Sequence, residues 1–209
     1  MFISNVKVYD MAESIVASGY PMDVDLSNKD EEIKVMKDYL NINSRRVFTT
    51  EEMQKADKRF NKAKDLAKLG NAHAQFLSGV RVAFDLTCSN KMWVELERYR
   101  FITFVSSQST MHRISKFNLA DQYVKYVDPR IITIMEELKD NYNKTNSKED
   151  YLKLLYSNPC GFQLTARLTT NYRCLHNVFG QRHDHRLPEW RQFVREMGEK
   201  LPYAKDLIL

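Results

Sequence analysis

Residues 80–100, VRVAFDLTCSNKMWVELERYR, decide the fold class because two periods meet in them. Val80, Val82, Phe84 and Leu86 alternate with Arg81, Ala83 and Asp85, the two-residue period of a half-buried strand. Ser89 or Asn90 then stands where a side chain caps a helix, and that helix runs through Trp93 and Leu96. It delivers Arg98, Tyr99 and Arg100 at or near its end. A strand joined directly to a helix makes neither an all-helical bundle nor an all-strand sandwich the natural reading.

Working towards the amino terminus, Thr49 and Glu52 have capping-box spacing, and Met53, Ala56, Phe60, Ala63 and Ala67 fall along one helix face. Gly70-Asn71 is the expected stop. Phe2, Val6 and Val8 suggest a short edge strand, and Gly19-Tyr20-Pro21 a turn. From Met22 to Arg46 the charges are dense and mixed and assign no element.

Towards the carboxyl terminus, Ser106 to Arg113 is rich in hydroxyls and is expected to be irregular. Asp128-Pro129 opens a helix through Ile132, Met135 and Leu138, and Ser147 with Asp150 opens another. After Asn158-Pro159 a long helix is expected from Leu164 to Phe179, ended by Gly180. Leu187-Pro188-Glu189 opens the last, with Trp190, Phe193, Val194, Met197 and Leu201 at helical spacing. The expectation is a helix-rich α+β fold with a small mixed or antiparallel sheet, as a single domain 1–209 whose residues 1–48 are a variable amino-terminal part.

Composition narrows the function classes. Hydrophobic residues at 43% and charged residues at 28%, with 6 Gly and 5 Pro, exclude a collagenous or low-complexity chain. A net charge of +5 favours anionic partners without separating a nucleotide from a polymer. Cys88, Cys160 and Cys174 are an odd set with no CxxC pair, which points to a reducing cytoplasm and away from a disulfide framework. The first nine residues do not read as a signal peptide, and no stretch approaches the roughly 20 apolar residues of a membrane span.

Among candidate chemical groups, Arg182-His183-Asp184-His185-Arg186 invites a metal reading. Two flanking arginines repel a dication and the imidazoles need not converge, so a solvated or nucleotide-facing loop is preferred and no metal is assigned. His73 alone reads as a capping or hydrogen-bonding residue. Arg81, Arg98, Arg100, Arg113, Arg167, Arg173, Arg182, Arg186 and Arg191 are more telling, because guanidinium forks suit a phosphorylated ligand. Their plain alternative is salt bridging to Glu95, Glu97, Asp184 or Glu189. No glycine-rich phosphate loop is present, which removes the P-loop and Rossmann readings.

From His73 onward the residues resemble the flavin-dependent thymidylate synthases, the ThyX family. His73, the strand, Arg98-Tyr99-Arg100 and Ser109 look like the family's His, strand, RHR motif and downstream serine. His73 and Arg98 stand 25 positions apart, a spacing the family also uses. Asn158-Pro159, Asn171-Tyr172-Arg173, Asn177, Arg182 and Glu189-Trp190-Arg191 resemble its carboxyl-terminal series. The likeness covers roughly Asn71 to Pro202.

The resemblance implies a ThyX-like fold and a homotetramer with FAD bound between subunits. It implies methylation of deoxyuridine monophosphate or a related pyrimidine nucleotide, with methylenetetrahydrofolate and NADPH as co-substrates and no cysteine nucleophile. His73, Arg98, Tyr99, Arg100, Asn171, Arg173 and Asn177 would bind the cofactor, and Ser109 and Arg182 would be the catalytic pair facing the nucleotide. The chain departs from the family pattern at several points. Tyr99 replaces the motif's histidine, Glu95 a glutamine, Met111 and Leu155 two arginines, and Ser109 falls one residue late. Arg113 or Lys153 are the nearest replacement cations. Two other classes stay open: a noncatalytic flavin- or nucleotide-binding relative, and a basic nucleic-acid binder, which the resemblance disfavours.

Overall fold

The computed structural model describes residues 1–70 and 72–209. In chain order the described residues form β1 (Phe2–Tyr9), α1 (Met11–Ala17), α2 (Lys29–Leu40), α3 (Thr50–Lys68), β2 (Arg81–Ser89), α4 (Asn90–Leu96) and β3 (Thr103–Ser107). There follow α5 (Thr110–Arg113), α6 (Pro129–Thr145), α7 (Lys148–Tyr156), β4 (Gln163–Asn171), α8 (Tyr172–Arg182), α9 (Pro188–Lys200) and α10 (Ala204–Leu207). The strands make one sheet, ordered β1-β2-β4-β3, with every pairing antiparallel. The α+β, helix-rich expectation holds.

The caps read from the sequence are in place. Thr49 and Glu52 exchange both bonds of a capping box, and Ser89, Asp128 and Ser147 each accept a backbone N–H in the first turn of their helix. Gly70 takes φ +88 just past α3, a left-handed conformation that favours glycine. Asn71, expected to share that stop, lies outside the described residues.

One helix is corrected. Leu164 to Phe179 is a strand and then a helix: β4 pairs with β2 from Gln163 opposite Ser89 to Asn171 opposite Arg81. Leu164, Ala166, Leu168 and Thr170 are buried while Thr165, Arg167 and Thr169 are not, a two-residue alternation that β-branched threonines favour. Asn171 turns the chain, its Oδ1 accepting the Cys174 N–H at 2.9 Å, and α8 passes through Gly180 to Arg182. The stretch expected to be irregular also divides, into β3 and α5. Its hydroxyls belong there because β3 is an exposed edge strand, with Ser106 opposite Arg167 and Ser107 opposite Ala166.

Residues 1–48, left without a helix by the sequence, contain α1 and α2. In α2 Asp30, Glu31 and Glu32 fill the first turn and Lys37 the last, the sense that complements the helix dipole. Ile3, Ile15, Val16, Val35 and Met36 carry this part into the main core with Phe84, Leu168, Tyr172, Trp190 and Phe193. A second cluster gathers Ile114, Leu119, Tyr123, Met135, Leu154, Phe162 and Leu164 around α6 and α7, and Trp93 packs against both.

The sheet has one apolar and one polar face. Val82, Phe84, Leu86 and Cys88 of β2 point into the core opposite Thr170, Leu168, Ala166 and Leu164. On the other face the Thr87 and Thr165 hydroxyls meet at 2.7 Å and Arg167 pairs with Asp85 at 3.1 Å.

Candidate functional site

A groove of about 530 Å³ opens on the polar face where β2, β4 and the start of β3 lie side by side. Its walls include Arg81, Ala83, Thr103 and Thr169 from the strands, Asn171 from the β4–α8 junction and Arg100 from the segment after α4. Register explains the meeting: Arg81 is opposite Asn171, and Thr169 is opposite both Ala83 and Thr103. Arg81 is held by Asp10, with Nη2–H donated at 2.6 Å and Nε–H at 3.0 Å. Arg98 and Arg100 are exposed and make no side-chain hydrogen bond or ion pair among the described residues.

The other expected cofactor residues sit on or beside α8. Arg173 and Asn177 are half-buried on the helix, and exposed His73 leads the turn Ala74–Ser78 that packs against it. Between them lies His176, which the sequence reading treated only as a polar position. Its Nδ1 is buried with no hydrogen-bond partner among the described residues, and burial holds the imidazole below its ordinary pKa of 6.5. Arg100 and Asn171 share the groove, whereas His73, Arg173 and Asn177 are not among its walls.

Ser109 lies half-buried at the start of α5 in a smaller cleft of about 310 Å³, with Asn90, Trp93, Gln108 and Thr110. Trp93 packs at a tilt against Phe104, ring centroids 4.6 Å apart, and gives the cleft an aromatic wall. Gln108 is fixed to β4 twice, its Oε1 accepting the Thr165 N–H at 2.9 Å and its own N–H donating to the Thr165 carbonyl at 3.0 Å. Met111 is 57% exposed, while Leu155 packs into the second cluster. Of the two nearby cations, Lys153 is taken by Glu149 at 2.9 Å and Asp150 at 3.6 Å. Arg113 is exposed and has no ion pair among the described residues.

Arg182 is drawn inward. Its Nε–H donates to the Tyr99 hydroxyl at 2.8 Å and its Nη1–H to Glu95 Oε2 at 3.2 Å, with His185 Nε2 2.7 Å from Nη1. The guanidinium lies 4.7 Å over the Trp190 ring, and only 14% of the side chain is exposed. His183 instead stacks on Phe179, so the two imidazoles of the 182–186 stretch do not converge. No group of three or more His, Cys, Asp or Glu among the described residues is placed to hold a metal ion. Cys88 and Cys174 are buried; burial pushes the Cys88 thiol up to about 12 and raises that of Cys174, the opposite of an activated nucleophile. No helix of the described residues is long and apolar enough to cross a membrane.

No family model and no curated protein matches the sequence. Solved structures match the fold. The flavin-dependent thymidylate synthase ThyX from Helicobacter pylori, complexed with FAD and dUMP, superposes at a TM-score of 0.68 and 15% identity, over 100% of this chain and 98% of that one. A second structure of thymidylate synthase X from Helicobacter pylori, with FAD and dUMP, gives 0.57 and 18% over 76% and 89%. The UMP/dUMP methylase PolB from Streptomyces cacaoi, bound with 5-Br dUMP, gives 0.59 and 12% over 97% and 91%. The fold is therefore ThyX-like along the whole chain.

Proposed function

We propose that this protein is a flavoprotein that methylates dUMP or a related pyrimidine nucleotide, using FAD with methylenetetrahydrofolate and NADPH as co-substrates. The observation that carries this reading is the meeting of Arg100 and Asn171 in one groove, on a fold whose solved examples hold FAD and dUMP.

The donor set fits an anionic, hydrogen-bonding cofactor. Arg98 and Arg100 are unpaired forks suited to a diphosphate. Asn171 spends its Oδ1 on capping α8 and keeps its amide N–H groups to donate. Arg173 and Asn177 add polar contacts along α8, His73 leads the turn packed against it, and Tyr99 braces the segment between the two arginines. When bound, the flavin supplies carriage of the methylene carbon and the reducing electrons. The protein's part is to bind, orient and exclude water.

Ser109 offers the nucleotide a hydroxyl beside the Trp93 ring, and Arg113 is the free cation on the same short helix. His73, Arg173 and Asn177 stand apart from the groove, so on this reading the complete site takes neighbouring copies of the chain in a homotetramer. A relative that binds flavin or nucleotide without turnover is the second reading, favoured by one observation: Arg182 is already engaged by Glu95.

Reconstitution with FAD followed by absorbance spectroscopy and light scattering tests the proposal. A bound, yellow oligomer whose spectrum shifts on adding dUMP is expected. A stable monomer that takes up no flavin overturns it, and a flavin-bound protein that forms no thymidylate selects the second reading.

A further inference from the structure

Ser109 stands just before α5, where a serine ordinarily spends its oxygen on capping, as Ser89 and Ser147 do. Here it caps nothing: the Ser109 hydroxyl makes no bond to the helix and has no side-chain partner among the described residues. A helix of four residues does not hold its own place, because its single turn fixes several dihedrals for little bonding. It is held from two sides instead. On one side Gln108 is bonded twice to Thr165 of β4. On the other the Tyr151 hydroxyl of α7 donates to the Met111 carbonyl and lies 3.3 Å from that of Thr110, which already accepts the Ile114 N–H. The segment is thus strung between the sheet and the α6–α7 pair, with Gln108, Ser109 and Thr110 in the wall of the cleft. The Tyr151 ring packs at a tilt against Tyr142 of α6, centroids 5.0 Å apart. Burial, and then the neighbouring Tyr142, raise the Tyr151 hydroxyl above its ordinary value of 10.0, so it keeps its proton and stays a donor.

We infer that Tyr151 is a positioning residue for the Ser109 cleft, holding α5 from α7 so that the uncommitted Ser109 hydroxyl faces the nucleotide. This rests on the nucleotide reading of the site. Tyr151 does not line the cleft itself; it acts through the backbone of Thr110 and Met111. Securing the short helix by its carbonyls from outside takes over the task of a serine cap and leaves the serine for binding. A hydroxyl already held in place loses little freedom when a ligand arrives, so the tether is read in affinity.

Tyr151→Phe removes the hydroxyl and keeps the ring against Tyr142. Calorimetric titration with dUMP tests the inference on the wild type, Tyr151→Phe, Ser109→Ala and the double variant. Tyr142→Phe is the control, since that hydroxyl has no partner among the described residues. Flavin uptake and amide hydrogen exchange over residues 109–114 are recorded on the same samples. Tyr151→Phe is expected to weaken dUMP binding by about five- to tenfold, with faster exchange over 109–114 and flavin uptake unmoved. In the Ser109→Ala background the same substitution should weaken it by less than about twofold, the non-additivity of two groups that act as one. Unchanged dUMP affinity in Tyr151→Phe overturns the inference, whether or not exchange quickens. So does a loss that adds in full to that of Ser109→Ala, or one that Tyr142→Phe reproduces, because either assigns the effect to the packing of α6 on α7. A wild type that binds flavin and dUMP but is indifferent to Tyr151→Phe removes Tyr151 alone. A wild type that binds neither removes the nucleotide reading and the inference with it.

Discussion

Glu189 in the first turn of α9 accepts both the backbone N–H of Ser89, at 2.9 Å, and its hydroxyl, at 2.5 Å, across a separation of 100 residues. Ser89 ends β2 and caps α4, its oxygen also taking the Met92 N–H at 3.2 Å. A single carboxylate thus fixes the strand, the helix that delivers Arg98 and Arg100, and α9. Glu196, one side of the same helix further on, accepts the Ile3 N–H at 2.9 Å and anchors edge strand β1. Both ties lie at the Ser89 end of β2, where Phe2 is opposite Thr87, and hold that end of the sheet to α9.

Removing the first tie should be costly. Glu189 and Ser89 are 9% and 1% exposed, so Glu189→Ala leaves buried donors unpaired. A loss of about 2–4 kcal/mol is expected, read as a lowered denaturation midpoint with an unchanged m-value. A midpoint within experimental error of the wild type contradicts the role assigned to the pair.

His176 sets an acid limit on stability. Its folded-state pKa lies below the 6.5 of the unfolded chain, so the unfolded state binds the extra proton first. Stability from this group is intact above pH 6.5 and drains as pH falls from 6.5 toward the lowered value. Thermal melts at stepped pH should show that fall in the wild type and a shallower one in His176→Leu. Parallel pH profiles would place the loss elsewhere.

Arg98 and Arg100 make opposite demands on experiment. Neither has a partner among the described residues, so replacing either with alanine should leave the unfolding free energy within about 0.5 kcal/mol of wild type. Flavin affinity should fall by about tenfold or more per arginine at low salt, since each lost charge-assisted bond contributes about 1.5–3 kcal/mol. Fluorescence quenching of FAD on titration measures it. Affinity unchanged in both variants, with the fold intact, takes them out of the cofactor site.

Much of this architecture was legible because local signals act alone. Thr49, Ser89, Asp128 and Ser147 cap their helices through bonds made within three residues, and Trp190, Phe193 and Met197 mark their helix by spacing. β4 was misread because Leu168, Leu175 and Phe179 also fit a helical face; only pairing with β2, some 80 residues earlier, selects the strand. The same distance hid the site's internal bonds. Glu95 and Arg182 are 87 positions apart, and no period connects them. Arg98 and Arg100 were legible as guanidinium forks near a helix end, but that they are unpaired, like the engagement of Arg182, needed three dimensions.

Met111 supplies the last prediction. It is 57% exposed on α5, whose backbone is fixed from outside the side chain: the Tyr151 hydroxyl donates to the Met111 carbonyl and lies 3.3 Å from that of Thr110. A longer polar side chain therefore changes no buried contact. On this side of the Ser109 cleft Lys153 is committed to Glu149 and Asp150, and Arg113 is left as the free cation. Met111→Arg adds a second guanidinium on the same helix and should strengthen dUMP binding by about tenfold, the order expected of one charge-assisted phosphate contact. The gain should shrink as salt rises from 0.05 to about 0.5 M, because exposed charges are screened. Thymidylate formation with reduced flavin and methylenetetrahydrofolate should rise with it, and Arg113→Ala should lower both. Robust turnover by the unmodified protein, unmoved by either substitution, would mean that the phosphate is held by cations away from α5.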